Sequence, residues 1–500
     1  MTYRHQRLEQ EPETTERTAL KNLYTSQTQR PSLRQRWQVV AQKKQQVAGG
    51  SLQTVLLGLM VPTVMMVLNL SMFSVAVPAI RDGFSLHAEM TAWLITAYAL
   101  PFMMFMPLYG RLGDGLGKRR LFLLGVTIFL LGTGLILGAV DLRLLMVGRI
   151  IQGIGAAAVN PLCIAIISDL FPATQRGQAL GTWNSIGPVT GIGGPLLAGF
   201  LVDSIGWRVI FGPVLLIGLV SIWVVWTQVP AMQPVVRPEV WRNFDWGGLV
   251  LLSAATTMLV FYVSSRPVTG VPPLRDWRLF VTTIVLFGGF VTWETRQAVP
   301  FINLNTFALK NFSRASIGSG IRMFTMSSGI GFLIPLYLVD VHQVSAATTG
   351  FLLMLHAGAL LVTMRLGGQM ADRWGSRRPV LIGASTQVAG MVYFALLPGT
   401  ASLTIIVAGL AGHGLGAGLS LAALHRASMG QVLKEQTGAA AGLYSMIRFS
   451  GTLFGVALAG VVLQQGLDRL PVLIEAYQVV FLFLAGVALL GVISAAGLRE

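Results

Sequence analysis

The chain has 500 residues, of which 53% are hydrophobic and only 11% are charged, and its formal net charge is +16. A soluble domain of this size cannot bury so much apolar surface, so the composition excludes a soluble globular protein and favours one that lies in a membrane. The single cysteine, Cys163, excludes an internal disulfide and a cysteine-based metal site, and no nucleic-acid-binding motif accompanies the basic charge.

The predicted elements begin with a polar, basic tail, residues 1–51, which lacks the apolar core and the cleavage site of a signal peptide. Apolar runs of about 20 residues or slightly more follow, and this is the length that a helix needs to cross a bilayer. We predict an all-α polytopic membrane protein with fourteen spans, at 52–80, 90–109, 121–140, 142–168, 177–201, 208–229, 247–265, 278–294, 313–339, 347–368, 379–398, 401–426, 437–464 and 474–497.

The basic residues predict the orientation of these spans. Lys and Arg collect in the tail and in alternate loops, whereas the intervening loops are short and hold few of them. Basic residues stay on the cytoplasmic side of a membrane. An even number of spans then places both termini in the cytoplasm of a multi-pass cell-membrane protein.

Two charged loops repeat one pattern, GRLGDGLGKRR at 110–120 and GQMADRWGSRR at 368–378. Each follows the second span of a six-span block, which indicates a duplicated half. We therefore predict four parts: a basic cytoplasmic tail over 1–51, a six-helix bundle over 52–229, a linker with two inserted spans over 230–312, and a second six-helix bundle over 313–500.

Glycines in these loops permit a tight turn, and an acid beside basic residues can form charge-assisted hydrogen bonds between neighbouring helix ends. Gly115 stands where the second loop has Arg373, so we expect the first latch to be weaker. The simpler interpretation is that these charges only orient the loops. The residues of the two predicted latches are Gly110, Asp114, Lys118, Arg119, Gly368, Asp372, Arg373 and Arg377.

The fourth and fifth spans carry further patterns. RIIQGIGAAAVNP places Arg149 and Gln152 on one helix face, and an arginine at that depth must face protein or water. In SIGPVTGIGGPLLAGF the prolines remove backbone donors and the small residues permit close packing. A hinge is predicted there, although tight packing alone would also explain the pattern; its residues are Pro188, Gly191, Gly194 and Pro195.

With these motifs the chain resembles the fourteen-span drug:proton antiporter branch of the major facilitator superfamily, the EmrB/QacA type. The resemblance extends from about residue 55 to residue 495 and includes both charged loops and the patterns of spans 4 and 5. It implies a major facilitator fold, in which two six-helix bundles rock about a central site and the charged loops form a cytoplasmic gate. Asn69, in NLSMFSVAVPAI, departs from the family pattern, which usually has an aspartate there.

The carboxylates are unusually placed for a proton-coupled carrier, because all twenty fall at a span end, in a loop or in a tail. The midplane candidates for proton coupling are His356 and His413, each roughly 14–18 Å along its helix. A neutral histidine bonded within the bundle is the alternative for each. The deep charges, Arg149, Arg322 and Arg448, would favour anionic or electron-rich substrates.

We therefore expect a transporter, not an enzyme, that exports hydrophobic or amphipathic small molecules by proton-linked, multidrug-type alternating access. The bilayer, a small amphipathic substrate and protons are its expected partners, without nucleic acid, cofactor or metal; a periplasmic adaptor is left open. Three alternatives stay open. The first is a proton-independent facilitator or translocator of anionic amphiphiles, lipids or pigments, and the second is a membrane sensor or assembly partner that does not transport. The third is a membrane enzyme, for which the sequence shows no nucleophile–base pair or metal cluster. The predicted cavity residues are Asn69, Arg149, Gln152, Arg322, His356 and Arg448.

Overall fold

The structure, a computed structural model, describes residues 52–231, 244–297, 300–302, 304–432 and 437–499. The predicted tail and most of the segment between the eighth helix and the inserted spans fall outside this part, as does the side chain of Asp114. Within the described residues the secondary structure is helical, without strands.

The first half of the chain forms helices α1 (Leu52–Gly83), α2 (Ala88–Leu116), α3 (Lys118–Leu137), α4 (Leu142–Ala156), α5 (Val159–Leu170), α6 (Ala173–Asn184), α7 (Ile186–Ser204) and α8 (Phe211–Gln228). The inserted part forms α9 (Trp246–Val263), the short α10 (Arg266–Thr269) and α11 (Trp277–Glu294). The second half forms α12 (Lys310–Thr325), α13 (Ile334–His342), α14 (Ala346–Trp374), α15 (Arg377–Leu396), α16 (Leu403–Met429), α17 (Thr437–Arg469) and α18 (Leu473–Ala496).

Thirteen helical segments in the described part are long and apolar enough to cross a membrane. The remaining predicted span, 278–294, is the helix α11, which has 18 residues but includes Arg278 and Glu294. It is not among the thirteen segments, so a total of fourteen spans stays a prediction. Three predicted spans are interrupted helices: α4 with α5, α6 with α7, and α12 with α13, the last pair joined by a π-helical segment, Met326–Leu333.

The charged repeats are mostly helical and not loops, which corrects the expectation from sequence. Helix α2 continues to Leu116 and α14 to Trp374, and the chain reverses at single glycines with positive φ, Gly117 (88°) and Gly375 (76°). Only a residue without a Cβ adopts such angles readily, so these two glycines make the turns. Gly110 and Gly368 lie inside helices.

We call the end of the molecule that holds the turns at Gly117 and Gly375 the basic end, and the opposite end, at the turns before α2 and α14, the far end. Helix α7 packs along α14, and α2 packs along α17, so helices of the two predicted bundles contact each other directly. Residues from Leu52 onward form one compact unit. The proposed limits of the two bundles therefore stay a prediction, and we use N-terminal and C-terminal bundle for α1–α8 and α12–α18.

Candidate functional site

Arg149 lies in the interior of the N-terminal bundle, between α4, α2 and α1. Its side chain is fully buried; Nε donates to the carbonyl oxygen of Leu94 and Nη1 donates to Gln152 Oε1, both at 3.0 Å. The guanidinium lies 3.8 and 4.6 Å from the ring centroids of Phe73 and Tyr98. Two aromatic faces, an amide and a carbonyl therefore stabilise this cation without a carboxylate.

Gln152 extends this polar cluster to two more helices. Its Nε2 donates to Asn69 Oδ1 at 3.2 Å and to Thr133 Oγ1 at 2.9 Å, so one amide joins α4 to α1 and α3. Asn69, Arg149 and Gln152 were expected to line a substrate cavity, but in this conformation all three are buried inside the bundle. They lie there because their polar groups largely satisfy one another, which removes the need to face water.

His356 of α14 and His413 of α16, expected from two separate spans, contact each other. His356 Nε2 and His413 Nδ1 are 3.1 Å apart, and both side chains are buried. The helices approach closely at Gly414, where an added Cβ would lie 2.5 Å from the His356 carbonyl oxygen. A hydrogen bond between two ring nitrogens needs one N–H and one bare nitrogen. The bonded pair therefore holds at most one proton more than two neutral rings.

Arg322 of α12 and Arg448 of α17 are the deep cations of the C-terminal bundle. Arg322 is 5% exposed, and its Nε donates to the carbonyl oxygen of Ala417 at 3.0 Å. Arg448 is half-buried; its guanidinium lies 4.7 Å from the ring centroid of Phe449, and its Nε is buried without a hydrogen bond to a described residue. Of the six predicted cavity residues, Arg448 is therefore the one with appreciable exposure in this conformation.

The predicted hinge contains a packed part and an open part. The helix break falls at Ser185, so Pro188 lies in the first turn of α7, where a missing N–H is tolerated, whereas Pro195 lies inside the helix. An added Cβ at Gly194 would lie 2.0 Å from a side-chain oxygen of α1, but one at Gly191 would meet nothing within 4 Å. Only the far-end half of α7 is thus closely packed.

The second charged repeat forms a latch within one bundle. Asp372 Oδ1 lies 3.5 Å from Nε of Arg426 on α16, and the two side chains are 73% and 49% exposed. Arg426 also donates to the carbonyl oxygen of Ala371. Arg373 and Arg377, the basic neighbours of Asp372 in sequence, form no ion pair with a described residue. The partner on α16 could not be recognised from the loop sequence alone.

The first charged repeat also ties neighbouring helices of one bundle together. Lys118 Nζ donates to Asp169 Oδ2, which joins α3 to α5. Arg119 donates to the carbonyl oxygen of Trp226 and lies 4.7 Å from the centroid of its ring, which joins α3 to α8. The side chain of Asp114 lies outside the described residues, so the expected pairing there stays a prediction.

The far end contains an ion pair between the bundles that sequence reasoning missed. Arg81 of α1 donates from Nη1 and Nη2 to the two carboxylate oxygens of Asp340 on α13, at 2.6 Å each, and Tyr477 of α18 donates its hydroxyl to Asp340. Both charged side chains are mostly buried. A bidentate pair of this kind fixes the relative positions of the two helices as well as attracting them.

Two further contacts close the far end. The Asp203 carboxylate, at the end of α7, accepts the backbone N–H groups of Ala346 and Ala347 at 3.0 and 2.8 Å, so it caps α14 from the other bundle. On the second helix pair, the backbone N–H of Ala88 in α2 donates to Gln464 Oε1 in α17 at 2.8 Å. These contacts lie at the end opposite the charged turns.

The basic-end half of the same interface is more open. The segment Thr174–Ser204 contains α6 and α7 and is the least buried of the thirteen membrane-length segments. Only 22% of its apolar, membrane-length stretch is buried inside the protein. Within α7 the buried residues lie from Gly194 to Gly199. Between α2 and α17, Phe102 meets Phe449 edge to face at 4.8 Å, in the middle of both helices. The bundles thus meet from the far end to mid-depth.

Comparison with known proteins gives one matching family and several related proteins. The family model described as Major Facilitator Superfamily matches residues 59–321 and 315–499. The chain is 30% identical over 400 residues to the multidrug resistance protein Stp of Mycobacterium tuberculosis (strain CDC 1551 / Oshkosh), with 80% of this chain and 73% of the relative covered. It is 26% identical over 395 residues to the riboflavin transporter RibZ of Clostridioides difficile (strain 630), with 79% and 84% covered.

A solved structure shows the same fold. The POT family transporter PepTSo superposes with a TM-score of 0.67 at 14% sequence identity, with 90% of this chain and 98% of that chain covered. At this identity the likeness concerns the arrangement of helices alone.

Proposed function

The chain belongs to the Major Facilitator Superfamily, and from this membership we propose that it exports hydrophobic or amphipathic small molecules across the cell membrane by alternating access. Membership makes it a multi-pass membrane transporter and not an enzyme. The export direction and the substrate class are our proposals. They are supported by the relative named as a multidrug resistance protein. They are also supported by the motifs that resemble those of the drug:proton antiporter branch.

The observation that carries the mechanism is the one-sided closure between the bundles. Arg81 with Asp340, Asp203 with the start of α14, and Ala88 with Gln464 join the bundles at the far end. Toward the basic end, the residues of α7 before Gly194 are half-buried or exposed. Basic loops stay in the cytoplasm, so we assign the basic end and both termini to the cytoplasmic side. On this assignment the structure is closed to the outside and open to the cytoplasm, the state that would load a substrate for export.

Proton linkage would depend on the His356–His413 pair. Every carboxylate in the described part lies at, or within three residues of, a helix end. The histidines lie near the middle of α14 and α16 and share one hydrogen bond that accommodates an extra proton. Export by the double variant His356→Gln/His413→Gln should then lose its response to a collapsed proton gradient. Full, strictly gradient-driven export by this variant would contradict the assignment.

A proton-independent facilitator or translocator of anionic amphiphiles is the second candidate. It is favoured by the same absence of a deep carboxylate in the described part and by the half-buried, unpaired cation Arg448. A purified protein in liposomes that moves matched anionic compounds equally with and without a proton gradient would support this function over antiport.

Efflux from cells that overexpress the protein tests the main proposal. We expect lower accumulation of fluorescent amphipathic compounds than in cells with the empty vector. Matched anionic, neutral and cationic compounds, measured with the wild type and with Arg448→Ala, report the preferred charge. If no compound is exported, at verified membrane expression, and purified protein moves none in liposomes, the non-transporting alternative gains the support.

Reporter fusions at residues 116 and 375 should both report the cytoplasm; opposite signals would reject the orientation.

A further inference from the structure

A small, partly open cavity lies between helices of the C-terminal bundle, away from the interface between the bundles. It has a volume of ≈ 20 Å³ and lies between α12, α15, α16 and α18. Arg322, Thr325, Gln387 and Ser420 supply its polar surface. A cavity of this size holds one occupant about as large as a water molecule.

Arg322 faces this cavity with most of its hydrogen-bonding capacity unused. A guanidinium has five N–H donors, and the described contacts of Arg322 account for one, from Nε to the carbonyl oxygen of Ala417. No described carboxylate lies within ion-pair distance of it. The side chain is nevertheless 95% buried, because its exposed fraction is 5%. A buried cation in this condition needs a counter-charge or further hydrogen-bond acceptors.

A second cation lies close by and adds to the positive potential. Helices α12 and α17 touch through their backbones, since an added Cβ at Gly451 would lie 1.9 Å from the Gly320 carbonyl oxygen. Arg322 follows Gly320 by two residues and Arg448 precedes Gly451 by three. Both cations therefore lie beside one helix crossing, and the Nε of Arg448 is buried and without a described partner.

Arg149 in the other bundle shows what a satisfied buried arginine looks like in this protein. Its donors bind Leu94 and Gln152, and Phe73 and Tyr98 cover its faces. Arg149 does not line the cavity that lies beside Arg322. The free space beside Arg322 is therefore not a general consequence of burying an arginine in this protein.

We propose that this cavity binds one monatomic anion, a halide and hence chloride under cellular conditions. Arg322 would supply N–H donors and charge. The hydroxyls of Ser420 and Thr325 donate to backbone carbonyl oxygens of their own helices in this structure, and they would rotate toward the anion to supply further donors. The Gln387 Oε1 atom is buried without a hydrogen bond, and the Nε2 bonds of this residue are long, 3.3 and 3.4 Å. Rotation of this loosely held amide would turn its N–H₂ toward the anion. The volume of ≈ 20 Å³ favours a monatomic anion over a carboxylate or a phosphate.

Thermal unfolding of the purified protein in detergent tests the site without any transport assay. At constant ionic strength, the midpoint should be higher in sodium chloride or bromide than in sodium gluconate, and it should rise to saturation with chloride. Arg322→Gln should lose this difference. Arg149→Gln, the matched control, should keep the chloride dependence whatever its own midpoint.

Gln387→Glu gives a second test that does not remove the arginine. It places a carboxylate on the wall of the same cavity, so it should replace the chloride requirement. Its midpoint in gluconate should equal or exceed that in chloride. In crystals grown with bromide, an anomalous peak beside the Arg322 guanidinium is expected in the wild type and not in Gln387→Glu.

A wild type that unfolds identically in chloride and gluconate and shows no bromide peak would mean that the cavity holds water only, and the proposal would be wrong. An equal chloride effect in the wild type, Arg322→Gln and Gln387→Glu would place halide binding elsewhere and would also overturn it. These outcomes are independent of the exporter assignment, because neither measurement involves a transported substrate.

Discussion

Arg81 is an inconspicuous residue in sequence and a central one in the structure. It follows a long apolar run, beside Asp82, and looks like an ordinary charge at a span end. In the folded chain its guanidinium makes two 2.6 Å hydrogen bonds with Asp340, 259 positions away. Nothing local to either residue reveals this pairing, because it depends on how the two bundles meet. The histidines differ: their depth was readable from the sequence, but their mutual contact was not.

We predict that Asp340→Asn opens the far end. The change removes one partner of a largely buried charged pair, which costs about 1.5–3 kcal/mol, so the closed state should lose roughly tenfold or more in population. Tyr477→Phe leaves the ion pair intact and should have a smaller effect. The measurement is labelling of Ala92→Cys, a site buried at the α2–α17 contact, in a Cys163→Ser background. Equal labelling rates in wild type, Asp340→Asn and Tyr477→Phe would show that the pair does not hold this end closed.

At the scale of helices, apolar run length predicted the positions of the spans well. The structure places most helix ends within a few residues of the predicted limits, because a bilayer demands a fixed length of apolar chain. What the runs did not predict is where helices break or continue. The break at Ser185 and the π-helical Met326–Leu333 lie inside predicted spans, and α2 and α14 continue through charged sequence to Gly117 and Gly375. Hydrophobicity alone carries no information on such backbone details.

We predict that Gly350→Ala separates the far ends of α7 and α14. An added Cβ would lie 2.1 Å from the Pro195 carbonyl oxygen, a backbone atom that cannot rotate away, and overpacking of this kind costs about 1–3 kcal/mol. Gly358→Ala on the same helix is the control, since a Cβ there meets nothing within 4 Å. Spin labels at the exposed far-end residues Val140 and Leu396 report the distance between the bundles. A longer distance is expected for Gly350→Ala only; identical distributions for both variants would contradict the prediction.

At the scale of the whole molecule, the repeated motif predicted two related halves. Both bundles bury polar groups at a similar depth along their helices, but the chemical nature of these groups differs between the bundles. The N-terminal bundle encloses a cation satisfied by Gln152, Phe73 and Tyr98. The C-terminal bundle encloses a histidine pair and a cation beside a cavity. The side chains of both sets are buried inside their bundles, so a molecule in the cleft meets other side chains first. We therefore expect each proposed bundle to move as a preformed body, with the changes confined to the interface.

We predict that a disulfide across α2 and α17 stops transport reversibly. In Ala92→Cys/Gly460→Cys, on the Cys163→Ser background, the two Cβ positions are 2.5 Å apart, so the helices need to part by only about 1 Å to reach the usual Cβ separation of a disulfide. The bond would hold the far end closed, while the His356–His413 pair and the cavity beside Arg322 stay untouched. Export should cease on oxidation and return on addition of a reductant. The control pair Gly125→Cys/Ala158→Cys, 2.3 Å apart within the N-terminal bundle, should form a bond without stopping export. If the engineered bond between α2 and α17 forms and export continues at the wild-type rate, the far end need not open during the transport cycle, and the alternating-access mechanism proposed for this chain is wrong.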